Sequence, residues 1–170
     1  MSTLPNEQKR QGEVELHFDP STIATDASLV FIGRVHSPWH SRENCPKNMG
    51  AAREAGMAAT VEIDEVWREG LTGLEAASHV ILLTWLDRAP RNLIVQKPRH
   101  ASRPTGTFSL RSPARPNPIG LHVARLIGLD NATGILHIEG IDVLDETPVI
   151  DIKPYYASAD AILDATVAKA

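Results

Sequence analysis

Cysteine is nearly missing from this chain: Cys45 is the single one among 170 residues. That count excludes an intrachain disulfide framework and a Cys-rich metal site, and it suits a reducing compartment. There is also no Gly-x-Gly-x-x-Gly, so the strand, glycine turn and helix of a dinucleotide-binding sheet are not to be expected. The longest apolar run, Val80 to Leu86, falls far short of the roughly 20 residues that span a bilayer. The opening MSTLPNEQKRQGEVELHF holds no apolar core of the signal-peptide kind. Nor is there an excess of positive charge. Seventeen Lys and Arg face twenty-one Asp and Glu, so the net charge of −4 gives the whole protein no pull on nucleic acid. Any RNA contact must come from a local patch. What these absences leave is a soluble, cytoplasmic, single-domain protein with 42% apolar residues, enough for a proper core.

The stretch Pro98 to Gly120, PRHASRPTGTFSLRSPARPNPIG, is where the unusual chemistry is concentrated. It carries five of the twelve prolines and four arginines, Arg99, Arg103, Arg111 and Arg115. Proline fixes φ and removes a donor, which excludes a helix here and disfavours a central strand. A stiffened loop bearing guanidinium groups is suited to a carboxylate, a phosphate or a nucleic-acid backbone. The alternative is a solvated linker with scattered charge, and loop chemistry favours function.

Elsewhere the periodicity is mostly that of strands. Val14, Leu16 and Phe18 alternate with polar residues; Leu29 to His36 is apolar and closed by Ser37-Pro38; Thr60 to Val66 is one-sided. Ser78 to Leu86 reads as a strand buried on both faces, although periodicity alone does not exclude a helix. Leu121 to Leu129 and Ile135 to Glu139 form a hairpin across Asp130-Asn131-Ala132-Thr133-Gly134. Val143-Leu144 and Pro148 to Lys153 add two short strands, and Thr107 to Leu110 is strand-like. His40 to Met57 reads as a loop, Trp67 to Gly73 as a helical turn, and Arg88 to His100 as room for a short helix. Ser158 to Ala168 reads as a terminal helix with Ala161, Ile162 and Ala165 on one side. Seven or eight strands with one clear helix make a barrel or sandwich the economical architecture.

Five short runs bear on chemistry. In Arg42 to Asn48, RENCPKN, the choice is between a surface loop and ligand contacts from Lys47 and Asn48; Cys45 is expected to pack rather than react. In GLTGLEAASH, Glu75 and His79 stand four apart, yet a structural histidine at a strand start is favoured and no metal site is expected. Asp87 and Arg88 end a buried strand, either as a local ion pair or as acceptor and donor for a ligand. Asn117, between two prolines, is held on a stiff backbone and offers the donor and acceptor an adenine edge needs. Finally, Glu139 to Asp145 and Thr147 to Tyr155 bring four carboxylates into β-prone sequence. Asp142 and Asp145 are turn residues by default, and Asp151 and Lys153 share a strand face.

Taken as an ordered set, FIGRVHSPW, RENCPKN, GLTGLEAASH, TWLDRA, QKPRH, GTFSLRSPARPNPIGL and IDVLDETPVIDIKPY resemble the TsaA-like, or TrmO, family of tRNA threonylcarbamoyladenosine methyltransferases. The resemblance covers about Phe31 to Tyr156. It implies a mainly β fold, a small closed β-barrel that binds S-adenosyl-L-methionine without a Rossmann sheet, usually as a homodimer. It implies methyl transfer to the exocyclic nitrogen of threonylcarbamoyl-modified adenosine beside the tRNA anticodon. Carried onto this chain, cofactor contacts fall to Lys47, Asn48, Met49, Asp87, Arg88, Arg111, Leu121, Gly140, Ile141 and Asp142, with Asn117 added for the adenine. Asp142 is the candidate for orienting the acceptor or taking its proton, and Arg111 or Arg115 for gripping the threonyl carboxylate or a phosphate. The division that follows is an N-terminal extension over 1–27 with an edge strand, a barrel domain over 28–157 and a C-terminal helix over 158–170. Two departures stand out. Glu146 replaces the glycine usual in an LDGTP-like turn, and the chain ends at Ala170, where longer members append a domain that helps hold tRNA. Methylation of another small molecule and a non-catalytic sensor of S-adenosyl-L-methionine are the alternatives.

Overall fold

The structure, a computed structural model, describes residues 10–23, 27–98 and 101–167. In chain order the elements are β1 (Val14–Glu15), β2 (Gly33–His36), α1 (Met49–Ala55), β3 (Ala59–Ile63), β4 (His79–Trp85), β5 (Leu93–Gln96), β6 (Thr105–Gly106), β7 (Ile119–Asp130), β8 (Ile135–Ile138), β9 (Thr147–Pro154) and α2 (Ala157–Asp160). They divide between two compact units, one of residues 27–87 and 119–165, the other built around 88–118 with the N-terminal segment and the last residues.

The larger unit is a closed barrel in the order β2-β3-β8-β7-β4-β9, with β9 pairing back onto β2. All its pairings are antiparallel, and closure leaves no strand edge open to another chain. Alternation along each strand fills the interior. Val35, Val61, Val80, Leu82, Ala124, Leu136 and Val149 have no exposed surface. Burial of such side chains contributes about 1.5–3 kcal/mol each for the larger aliphatics. The β7–β8 hairpin forms as the sequence indicates: Asp130 Oδ1 accepts from the Ala132 amide at 2.9 Å and the Thr133 amide at 3.3 Å. A hydrogen bond with the Thr133 side chain, and after it these two amide bonds, hold the Asp130 carboxyl below its ordinary value.

The smaller unit holds the three-stranded sheet β1-β5-β6. Its arginine loop is ordered by one buried amide. Gln96 Nε2 donates to Thr107 Oγ1 at 2.9 Å and to the Ala114 carbonyl at 2.6 Å, while the Thr107 hydroxyl donates to the Leu93 carbonyl at 2.9 Å. Arg91 Nε donates to the Pro116 carbonyl at 2.7 Å. Three positions of the loop, Thr107, Ala114 and Pro116, are thereby tied to β5 or to Arg91.

Several expectations change. Arg88 to His100 was expected to hold a helix, but Leu93–Gln96 is strand β5, because Ile94 and Val95 favour a pleated surface; His100 itself lies outside the described residues. Within His40 to Met57 there is a helix after all: Asn48 Oδ1 caps it through the Ala51 amide, and Gly56 ends it at φ 62°. Thr107–Ser109 is a 3₁₀ turn rather than part of a strand, and Val143-Leu144 is a bend. β4 is not buried equally on both faces; Val80, Leu82 and Thr84 point inward and their neighbours are half-buried. The terminal helix is one turn, Ala157–Asp160, and Ile162 and Leu163 beyond it are exposed. With no surface to cover, an apolar face gives a helix nothing to gain.

Candidate functional site

In the larger unit the site is organised by the segment that leaves β8. Gly140 turns the chain at φ 69°, and a Cβ there would sit 3.0 Å from the Ala52 carbonyl, so the turn lies directly against α1. Two sequence-selected groups are thus brought together: Gly140 to Asp142, and the helix that Asn48 and Met49 begin. The segment is then fastened to the end of β2. Trp39 Nε1 donates to the Ile141 carbonyl at 2.8 Å, and the Ser37 hydroxyl to the Val143 carbonyl at 2.8 Å. The Asp145 amide donates to the Trp39 carbonyl at 2.8 Å, and the Ser37 amide to Asp145 Oδ1 at 3.1 Å. Asp142 therefore sits on a rigid support.

Its carboxylate has a partner the sequence reading did not select. His122 Nδ1 lies 2.7 Å from Asp142 Oδ1, and His122 Nε2 lies 3.0 Å from Thr84 Oγ1. His122 is 5% exposed and Thr84 is fully buried. Register explains the meeting: His122 pairs with Leu82 and Gly120 with Thr84, so both polar side chains point into the same end of the barrel. Gly120 makes room for the bond. A Cβ there would stand 2.4 Å from both His122 Nε2 and Thr84 Oγ1. The available signal was the alternation in β7, where Gly120, His122 and Ala124 share the inward face.

The remaining candidates in this unit are placed as follows. Lys47 and Asn48 are exposed, and the Asn48 carbonyl oxygen is engaged as the helix cap. Met49 packs its side chain against the core. Asp87 is exposed after β4, and Leu121 is half-exposed on β7. Cys45 packs as expected: burial first and the Asp142 carboxylate second push its thiol up to about 11. On the barrel surface His36, Asp145 and Glu146 offer ligand atoms within 4.8 Å of one another. With Glu62 on the other ring nitrogen of His36 at 3.0 Å, they read as an ion-pair cluster around the 145–146 turn.

In the smaller unit Arg88, Arg111 and Asn117 are exposed. Arg115 is engaged within its own loop. Its Nε donates to the Ser112 carbonyl at 2.8 Å, and its terminal nitrogen to the carbonyls of Leu110 and Thr107. A guanidinium engaged by three carbonyls of its own loop acts as a strut there. In the 145–146 turn Glu146, standing where glycine is usual, adopts the left-handed region at φ 66°.

With this geometry in view, the chain can be set beside known proteins. Residues 34–161 match the family model of the tRNA-methyltransferase O N-terminal domain. The chain is 40% identical over 129 residues to a probable S-adenosyl-L-methionine-binding protein, VirR, of Rhizobium radiobacter, covering 76% of this chain and 71% of that one. It is 46% identical over 94 residues to a mouse tRNA (adenine(37)-N6)-methyltransferase, covering 54% of this chain and 21% of that one. A crystal structure of TrmO from P. aeruginosa superposes with a TM-score of 0.68 at 37% identity. That likeness covers 85% of this chain and 62% of the solved one, so the chain spans about three fifths of TrmO's length. The barrel is the expected one, and the chain belongs to the tRNA-methyltransferase O N-terminal domain family.

Proposed function

We propose that this protein is a methyltransferase that uses S-adenosyl-L-methionine and acts on the exocyclic nitrogen of threonylcarbamoyladenosine beside the tRNA anticodon. The observation that carries the reading is the family match over residues 34–161, which contains the anchored Asp142. The donor set fits the cofactor. Carboxylates at Asp142 and Asp87 suit an ammonium and ribose hydroxyls, and half-exposed Leu121 suits an adenine face. In this reading the larger unit supplies cofactor contacts from Lys47, Asn48, the Met49 backbone, Asp87, Leu121, Gly140, Ile141 and Asp142.

When bound, S-adenosyl-L-methionine supplies an electrophilic methyl group whose bonding pair returns to sulfur. The chain's part is to align the acceptor and accommodate its proton. A carbamoyl-bearing nitrogen is a poor nucleophile, so a fixed carboxylate that accepts its N–H helps in the transition state. Asp142 takes that role. A cytoplasmic homodimer with tRNA as substrate completes the proposal. No helix among the described residues is long and apolar enough to cross a membrane.

Methyl transfer from labelled S-adenosyl-L-methionine to threonylcarbamoylated and unmodified tRNA, side by side, tests this. Label confined to the modified tRNA is the expected result. Cofactor binding without label in either tRNA overturns the tRNA reading. It would leave another small-molecule acceptor or a non-catalytic sensor, the latter favoured by relatives named only for binding S-adenosyl-L-methionine.

A further inference from the structure

We infer that His122 is a positioning residue for Asp142, and that the Thr84 hydroxyl allows its ring to carry one proton or two without losing either contact. The inference rests on the methyltransferase reading and deepens it.

The interior of the barrel is mostly aliphatic, and three polar side chains form a chain through it: Thr84, His122 and the inner oxygen of Asp142. Stability is a poor reason for such a chain. A buried polar network replaced by apolar groups of the same shape is often neutral or stabilising, and a fully bonded one instead fixes geometry. Its geometry also constrains a fourth residue. Gly120 has no side chain where a methyl would stand 2.4 Å from both His122 Nε2 and Thr84 Oγ1.

Proton accounting assigns the roles. An ionised Asp142 only accepts, so His122 Nδ1 carries the hydrogen of the 2.7 Å bond. Nε2 then accepts from the Thr84 hydroxyl when the ring is neutral. When the ring is charged, Nε2 donates and the hydroxyl turns to accept. Asp142 is held through Oδ1 in either case. No donor among the described residues meets Oδ2, which is the oxygen left to take the acceptor's N–H. On transfer the N–H bond breaks, an O–H bond forms at Oδ2, the carboxylate becomes neutral, and Nδ1–H still donates to Oδ1.

The test compares His122→Phe, His122→Asn, Thr84→Val and the unaltered chain, each first checked for folding by near-ultraviolet circular dichroism. Cofactor affinity is read by calorimetry and methyl transfer on threonylcarbamoylated tRNA across pH. His122→Phe keeps a ring but no donor; kcat should fall roughly 100-fold or more, the lower end of what a positioned acid or base contributes, with cofactor affinity within about threefold. His122→Asn keeps a donor near Nδ1 and should recover most of that loss. Thr84→Val removes one of the two bonds that hold the ring and should lower kcat less than His122→Phe does, with cofactor affinity within about threefold. A second readout needs no acceptor: proton NMR should show a downfield Nδ1–H resonance that disappears in Asp142→Ala, which leaves Nδ1–H without its acceptor. Full kcat in His122→Phe with an unmoved pH profile overturns the inference, as does absence of the Nδ1–H resonance from the unaltered protein. Failure of the unaltered chain to methylate the tRNA while that resonance is present is a different result. It removes the tRNA reading, and the catalytic role of His122 with it, and leaves the His122–Asp142 bond standing.

Discussion

The Asp142 carboxylate opposes ionisation of the Cys45 thiol. Burial is the larger cause and Arg42 works the other way, but together they leave the thiol at about 11 against an ordinary 9.0. A two-unit rise cuts the thiolate at pH 8 roughly 100-fold. Iodoacetamide should therefore label Cys45 slowly at pH 8 and keep accelerating past pH 9, where an ordinary thiol levels off. In Asp142→Asn the inflection should move down and stay above 9, because burial remains. An inflection unmoved by that substitution would mean the carboxylate does not act on Cys45.

Arg115 leads to a stability prediction. Replacing it with Ala leaves the carbonyls of Ser112, Leu110 and Thr107 without this donor. Loss of a charged donor among partly buried acceptors costs about 1–3 kcal/mol, of which exposed parts of the loop recover some through water. Tm should fall by about 2–8 °C, and limited proteolysis should cut within 107–116. Arg111→Ala should instead show its larger effect on methyl transfer. The reverse pattern would reassign the two arginines.

The barrel was legible because alternation is a local signal: Val61 and Ile63, or Leu136 and Ile138, announce their inward face within five residues. Asp142 was legible as a carboxylate beside a glycine turn. His122 was not, because the reading treated Leu121 to Leu129 as one apolar strand without asking which residues pointed inward. Its partners Thr84 and Asp142 are 38 and 20 residues away in sequence. What holds Arg115 was not legible for a related reason. Composition reports that a guanidinium is present, whereas its engagement depends on whether backbone carbonyls turn toward it, which the prolines and the Gln96 bracket decide. Helix α1 was overlooked with both caps in view. Asn48 and Gly56 were read as loop residues, although they are the start and stop signals of a two-turn helix.

Gly120→Ala joins packing to the site. Its Cβ would overlap His122 Nε2 and Thr84 Oγ1, two buried atoms on paired strands with little room to yield. Overpacking of this kind costs about 1–3 kcal/mol, so Tm should drop by about 2–10 °C. The Nδ1–H resonance of His122 should shift or broaden as the ring is displaced. Substituting Ala at Gly106, where a Cβ would meet nothing within 4 Å, is the control and should do neither. Equal effects at both positions would mean that crowding of the polar chain is not the cause.

Glu146→Gly is expected to act in the opposite direction. At φ 66° an L side chain crowds the backbone, at a cost of about 1–2 kcal/mol that glycine does not bear. Against this stand the greater freedom of glycine in the unfolded chain, about 0.4–1 kcal/mol, and two surface pairs. Glu146 lies 3.1 Å from His36 Nδ1 and 3.9 Å from Arg34 Nε, both partners well exposed, and such pairs contribute a few tenths of a kcal/mol each. The bond from Arg34 to the Glu146 carbonyl survives the substitution. The balance favours glycine slightly, so Tm should rise by about 1–3 °C at moderate salt. The rise should shrink at low ionic strength, where the lost pairs are stronger. A fall in Tm at every salt concentration would show that the carboxylate, rather than the backbone, decides the turn.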